Sequence, residues 1–155
     1  MIFPTSKTYF LACGASEGST ELNAFDAALL QAGIGNTNLI KASSIIPPAC
    51  REIAPVSLPF GAFVPVAYAW VARDQPGEVI SAGIAIAFPK DETKPGLIME
   101  HADQAGRKVT EEKVIQMAKE GMEVRGEPVQ RIVSRAIEHR VASLGVAIAA
   151  VVLWT

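Results

Sequence analysis

Gly61 to Phe88, GAFVPVAYAWVARDQPGEVISAGIAIAF, is the stretch on which the fold class turns. Its two halves, Gly61 to Arg73 and Glu78 to Phe88, are apolar at nearly every position and partly β-branched or aromatic, a composition that suits strands. Successive strand residues face opposite sides, so a strand without polar alternation has both faces covered. Asp74-Gln75-Pro76-Gly77 between the halves carries turn chemistry, and the pair is expected to form a hairpin.

Working outward, Lys7 to Cys13 reads as a first strand running into a polar turn, Gly14-Ala15-Ser16-Glu17-Gly18. A helix should follow, capped by Ser19 or Thr20, with Glu21 at its positive end. Leu22, Phe25, Leu29 and Leu30 form its apolar stripe, and Gly33 supplies a left-handed stop. Leu39 to Ile46 reads as a strand ended by Pro47-Pro48, and Gly96 to His101 as a short one. Thr110 is expected to cap a second helix through Val114, Met117, Ala118 and Met122, ending near Gly121 to Gly126. Val129 to Val141 and Val146 to Trp154 complete the chain as strands. Two helices and about seven strands, not in strict βαβα order, imply an α+β fold in which two sheets pack together and helices cover their outer faces. A doubly wound nucleotide fold is disfavoured, because Gly33-Ile34-Gly35 follows a helix instead of opening one and lacks the third glycine.

The 155 residues, 50% of them hydrophobic, suffice for one core-rich domain spanning 1–155. At this size roughly two-thirds of the unfolded chain's surface can be buried. With 14 basic against 16 acidic side chains, there is no general attraction for nucleic acid. Cys13 and Cys50 stand far apart, and His101 and His139 make no ligand cluster with them, so no metal site is expected. Two reduced thiols suit a cytoplasmic protein. The segment before Cys13 contains Pro4, Ser6 and Lys7 where a signal peptide needs an apolar run. Leu144 to Trp154 falls short of the roughly 20 residues that span a bilayer. A membrane partner is therefore not expected.

No GxSxG elbow, P-loop or HExxH is present. What stands out is Ser43-Ser44, after a Gly/Asn-rich turn and an apolar strand and just before Ile45-Ile46-Pro47-Pro48. Taken with Leu22-Asn23-Ala24-Phe25-Asp26 and with Ala32-Gly33-Ile34-Gly35-Asn36-Thr37-Asn38-Leu39-Ile40, this segment resembles the pyruvoyl-dependent arginine decarboxylases. The resemblance continues through Pro76-Gly77-Glu78, Pro89-Lys90-Asp91, Gly96-Leu97-Ile98-Met99-Glu100, Glu138-His139 and Leu144-Gly145 to the apolar terminus at Trp154.

The resemblance implies a four-layer αββα sandwich and a proenzyme that cuts itself between Ser43 and Ser44. Residues 1–43 would become a β chain, and 44–155 an α chain whose first residue, once Ser44, is a pyruvoyl group. That built-in cofactor would form a Schiff base with L-arginine and release agmatine and CO2. By the same resemblance Ser43, Ser44 and Asn38 serve processing, Ser44 and Glu100 catalysis, and Asp26 the guanidinium. Leu22, Gly35, Thr37 and Ser43 would line the rest of the substrate. The assembly would be a homotrimer of αβ units with active sites between subunits. Two other readings stay open: a pyruvoyl decarboxylase for another amino acid, from which an anionic Asp26 pocket would exclude acidic substrates, and an uncleaved, non-catalytic homologue acting as a binding or assembly subunit.

Overall fold

Strands that are apolar on both faces need cover on both, and the chain provides it with four stacked layers. The computed structural model describes residues 3–155; positions 1 and 2 of the single-domain span lie outside the described residues. In chain order the elements are β1 (Thr8–Glu17), α1 (Glu21–Gln31), β2 (Asn38–Lys41), β3 (Ile45–Ile46), β4 (Arg51–Glu52), β5 (Phe63–Arg73), β6 (Val79–Pro89), β7 (Gly96–Asp103), α2 (Arg107–Arg125), β8 (Val129–Arg140) and β9 (Gly145–Trp154). One sheet has the order β2-β5-β9-β1-β4, the other β3-β7-β6-β8.

The sheets bury their inner faces against each other. Tyr9, Leu11, Ala67, Val71, Ala147, Ala149 and Val151 of the first meet Ile80, Ile84, Ile86 and Ile98 of the second. Several small alanines on one side face bulky isoleucines on the other, which lets the layers interdigitate at core density. The outer face of the five-stranded sheet, with Phe10, Ile148, Ala150 and Val152, takes α1 through Ala24, Ala28 and Leu29, so of the expected stripe Leu22 and Leu30 are exposed instead of packed. The outer face of the four-stranded sheet takes α2 through Val114, Ala118 and Met122. The expected αββα sandwich is thus the observed architecture.

Four further local expectations need correction. β5 and β6 are not a hairpin: they belong to different sheets. Each is an interior strand, β5 between β2 and β9 and β6 between β7 and β8, and the facing sheet on one side with a helix layer on the other covers nearly all of β6 and the centre of β5. The turn between them arches from layer to layer, and Gly77 N donates to Val141 O at 2.8 Å in the arch by which β8 returns to β9. The strand expected over Leu39 to Ile46 is two strands, again in different sheets, because Ile46 finds its buried site opposite Gly96 of β7.

β1 does not turn at Gly14 but pairs with β9 without interruption to Glu17. Gly14 is required there for contact, not for turning: a Cβ would strike the carbonyl of Ala28 and the amide of Ala32 in α1. Finally, α2 starts one turn earlier than expected, with Gly106 as its N-cap. Thr110 is buried instead, its hydroxyl bonded to that of Ser81 on β6, so it satisfies a polar pair under the helix. Thr20 caps α1 as expected, accepting from Asn23 N at 3.1 Å. Gly33 follows α1 with φ of 81°.

The Gly14 contact yields a test. Gly14→Ala must push α1 off the sheet and is expected to cost about 1–3 kcal/mol, read as a lower urea midpoint. An unchanged midpoint would mean that α1 is not seated this closely.

Candidate active site

The site grows from the break between β2 and β3. β2 lies at the edge of the five-stranded sheet, parallel to β5, with Lys41 opposite Val66. Beyond it Ala42 N still donates to Val66 O at 2.9 Å. Two residues later the chain has changed sheets: Ser44 O accepts from Ile98 N of β7 at 2.7 Å. The Ser43–Ser44 peptide therefore spans the gap between the layers, with Ser43 exposed and Ser44 half-buried.

Glu100 lies two residues beyond Ile98 on β7, so both side chains face the same way. Ile98 belongs to the core between the sheets, which places Glu100 at the rim of that space, roughly 7 Å along the strand from the residue that holds Ser44. Its Oε1 is 3.4 Å from Lys41 Nζ, while its Oε2 is buried and has no hydrogen-bond partner among the described residues. Burial raises the Glu100 carboxyl above the ordinary range, and the attraction of Lys41 only partly offsets this. Lys41 is itself anchored: Nζ donates to the Tyr68 carbonyl and sits 4.1 Å from the centre of the Tyr68 ring.

The structure brings Ser43, Ser44 and Glu100 together. It reaches α1 by a chain of contacts, since the ring of Phe25 lies 6.5 Å from that of Tyr68 and 4.7 Å from that of Trp70. Asp26, next to Phe25, is exposed and forms no ion pair among the described residues. Leu22, one turn earlier on the same helical face, is 75% exposed.

Gly35, Thr37 and Asn38 do not converge on Ser44 within the chain. Thr37 Oγ1 donates to Ile34 O at 2.7 Å, closing the turn between α1 and β2, and Gly35 packs against the backbone of Leu30. The Asn38 amide donates to Gly61 O at 3.0 Å, at the opposite end of β2 and up to roughly 16 Å from Ser43 in extended chain.

Lys41 and Tyr68 were missed by sequence reasoning. Nothing local in the sequence pairs Lys41 with a carboxylate 59 positions away. His139 makes no contact with this site and is satisfied elsewhere: Nε2 is bonded to Glu17 Oε2 at the far end of β1. Burial pushes the thiols of Cys13 and Cys50 up to about 11, so neither is a ready nucleophile near neutrality.

The family model for pyruvoyl-dependent arginine decarboxylase matches residues 8–155. A pyruvoyl-dependent arginine decarboxylase of Methanocaldococcus jannaschii is 51% identical over 152 residues, covering 98% of this chain and 92% of that protein. One of Methanococcus maripaludis is 45% identical with coverage of 98% and 93%, and one of Pyrococcus abyssi 38% identical with coverage of 99% and 99%. Among solved structures, a pyruvoyl-dependent histidine decarboxylase superposes with a TM-score of 0.52 at 19% identity, over 61% of this chain and 51% of that one. At that identity the likeness concerns the fold alone.

The buried carboxyl makes a stability prediction. An acid whose folded pKa is raised is penalised once pH exceeds its unfolded value, about 4.3 for glutamate, and fully penalised above the folded value. In a Ser44→Ala background, which removes any backbone cut, Glu100→Gln should therefore gain stability over its parent as pH rises from about 4 to about 8. Urea midpoints that differ equally at both ends of this range would show that Glu100 is not held above its ordinary pKa.

Proposed function

The chain belongs to the pyruvoyl-dependent arginine decarboxylases, and from that membership we propose that it cuts its own backbone between Ser43 and Ser44 and then converts L-arginine to agmatine and CO2. One observation carries the assignment of the cut: Ser44 is held by its carbonyl to the strand whose same face presents Glu100, a carboxyl with one bare, buried oxygen. Chemistry at position 44 and a proton source thus share one rigid support.

For processing, Ser44 Oγ attacks the Ser43 carbonyl carbon, and the acyl group passes from the Ser44 nitrogen to its oxygen. Loss of the Cα proton then expels the Ser43 carboxylate and leaves dehydroalanine at position 44. Water replaces the nitrogen, ammonia departs, and the α chain begins with a ketone. The hydrogen bond from Ile98 N keeps the new α-chain end on the four-stranded sheet, while Ala42 keeps the β-chain end on the other. The resemblance gives Asn38 to processing, but its amide is held by Gly61 O at the opposite end of β2, so a part in stabilising the Ser43 oxyanion would require the Asn38 of a neighbouring subunit.

In turnover, the pyruvoyl group supplies a sink for the electron pair released with CO2. Glu100 delivers a proton to the carbon that loses the carboxyl, and its raised pKa keeps that proton available closer to neutrality than an ordinary glutamate would. Asp26 takes the guanidinium fork, with Leu22, Gly35, Thr37 and Ser43 along the substrate stem. The unpartnered Asp26 and the exposed Leu22, Phe60 and Phe63 support a trimer in which these residues complete a neighbour's site. Two unpaired cysteines suit the cytoplasm.

Two experiments test the reading. Denaturing mass spectrometry should find two fragments split after Ser43, the α chain about 17 Da lighter than one beginning with serine; a parent protein that stays whole after prolonged warming sinks the self-cleavage. Asp26→Ala should process normally yet lose roughly ten- to a hundredfold in kcat/KM for arginine, and undiminished arginine use would place the guanidinium elsewhere.

A further inference from the structure

The two oxygens of Glu100 have unlike surroundings. Oε1 faces the Lys41 ammonium at 3.4 Å, whereas Oε2 is buried without a partner. A lysine on a flexible stem would ordinarily roam, but Lys41 is held at three points: the Tyr68 carbonyl, the face of the Tyr68 ring and Glu100. A carboxyl with a cation at one oxygen takes its proton on the other, because charge left on the paired oxygen is the better stabilised.

We propose that Lys41 is a positioning residue for the decarboxylation: it engages Oε1 and so turns Glu100 to present Oε2 as the oxygen that carries and delivers the proton. This rests on Glu100 as the proton donor. Lys41 lies before the cut and Glu100 after it, so the same contact ties the β chain to the α chain at the reacting end.

Among the described residues, Lys41 is the charged group in contact with Glu100. The inner faces of the packed strands offer Ala82, Ile84 and Ile86 from β6, Ala67 and Val71 from β5, and Ala147, Ala149 and Val151 from β9, none of which titrates. Ile46 is the inward residue of β3. Arg135, across Ile84 from Glu100, donates to Leu11 O at 3.3 Å. His101 and Asp103 alternate to the α2 side of β7 and pair with each other at 3.3 Å. The Ser43 carboxylate joins the surroundings only after the cut.

The test compares Lys41→Met and Lys41→Arg with the parent, and uses Glu100→Gln as reference. Lys41→Met is expected to process, to keep KM for arginine within about twofold and to lose roughly ten- to a hundredfold in kcat. Without the cation Glu100 holds its proton to higher pH, so the alkaline limb of kcat should move up by about one unit. Lys41→Arg should restore both. A Lys41→Met enzyme with parental kcat and an unmoved limb, alongside a dead Glu100→Gln enzyme, overturns the role of Lys41 alone. A fully active Glu100→Gln enzyme instead overturns the proton-donor reading beneath it. Should Lys41→Met block processing, the Glu100 titration is followed by carbon NMR of labelled glutamate in the uncut Ser44→Ala protein. The midpoint should rise by about one unit on adding Lys41→Met, and an unmoved midpoint overturns the proposal.

Discussion

The structure depends on the passage of one short segment between two sheets. Ala42 is bonded to β5 and Ser44 to β7, so the Ser43–Ser44 peptide is stretched across the gap with each flank fixed to a different layer. Neither side is free to follow the other. Were this bond cut as proposed, the fold would not unravel, since each new end would stay hydrogen-bonded to its own sheet through Ala42 or Ser44. In the proposed self-cleavage the same anchoring would limit the approach geometries open to Ser44 Oγ, which is the entropic advantage an intramolecular reaction needs.

The sandwich also sets the electrostatics. A carboxylate at the rim of an apolar layer loses water, and the inner faces beside Glu100 return little polar compensation beyond Lys41. Desolvation therefore prevails over attraction. Were the sheets packed through polar faces, the same glutamate would be an ordinary surface acid. Fold and reactivity thus share one cause, the two-sided apolarity of the central strands.

Much of this was legible in the chain. The unbroken apolarity of Gly61 to Phe88 required layers on both faces, and the stripe of α2 matched the outer face it covers, whereas Leu22 and Leu30 of the α1 stripe are exposed and Ala24 and Ala28 meet the sheet in their place. The serine pair, the glycine turn before it and Glu100 stood out together by resemblance to one family. What local reading got wrong were the connections. Asp74-Gln75-Pro76-Gly77 has the same turn chemistry whether the strands on either side pair or arch between sheets. Gly14 looks like punctuation until a helix is seen to press against it, and Thr110 looks like a cap until Ser81 arrives beneath it.

By itself, then, the sequence determined the layered α+β class and the family, and singled out Ser43-Ser44, because periodicity, composition and motif order are properties of neighbours along the chain. Only the tertiary structure decided that β5 and β6 lie in different sheets, that the serine pair bridges the layers, and that Lys41 meets Glu100. These are relations between residues distant in sequence, set by which buried faces fit one another, and no local pattern encodes them.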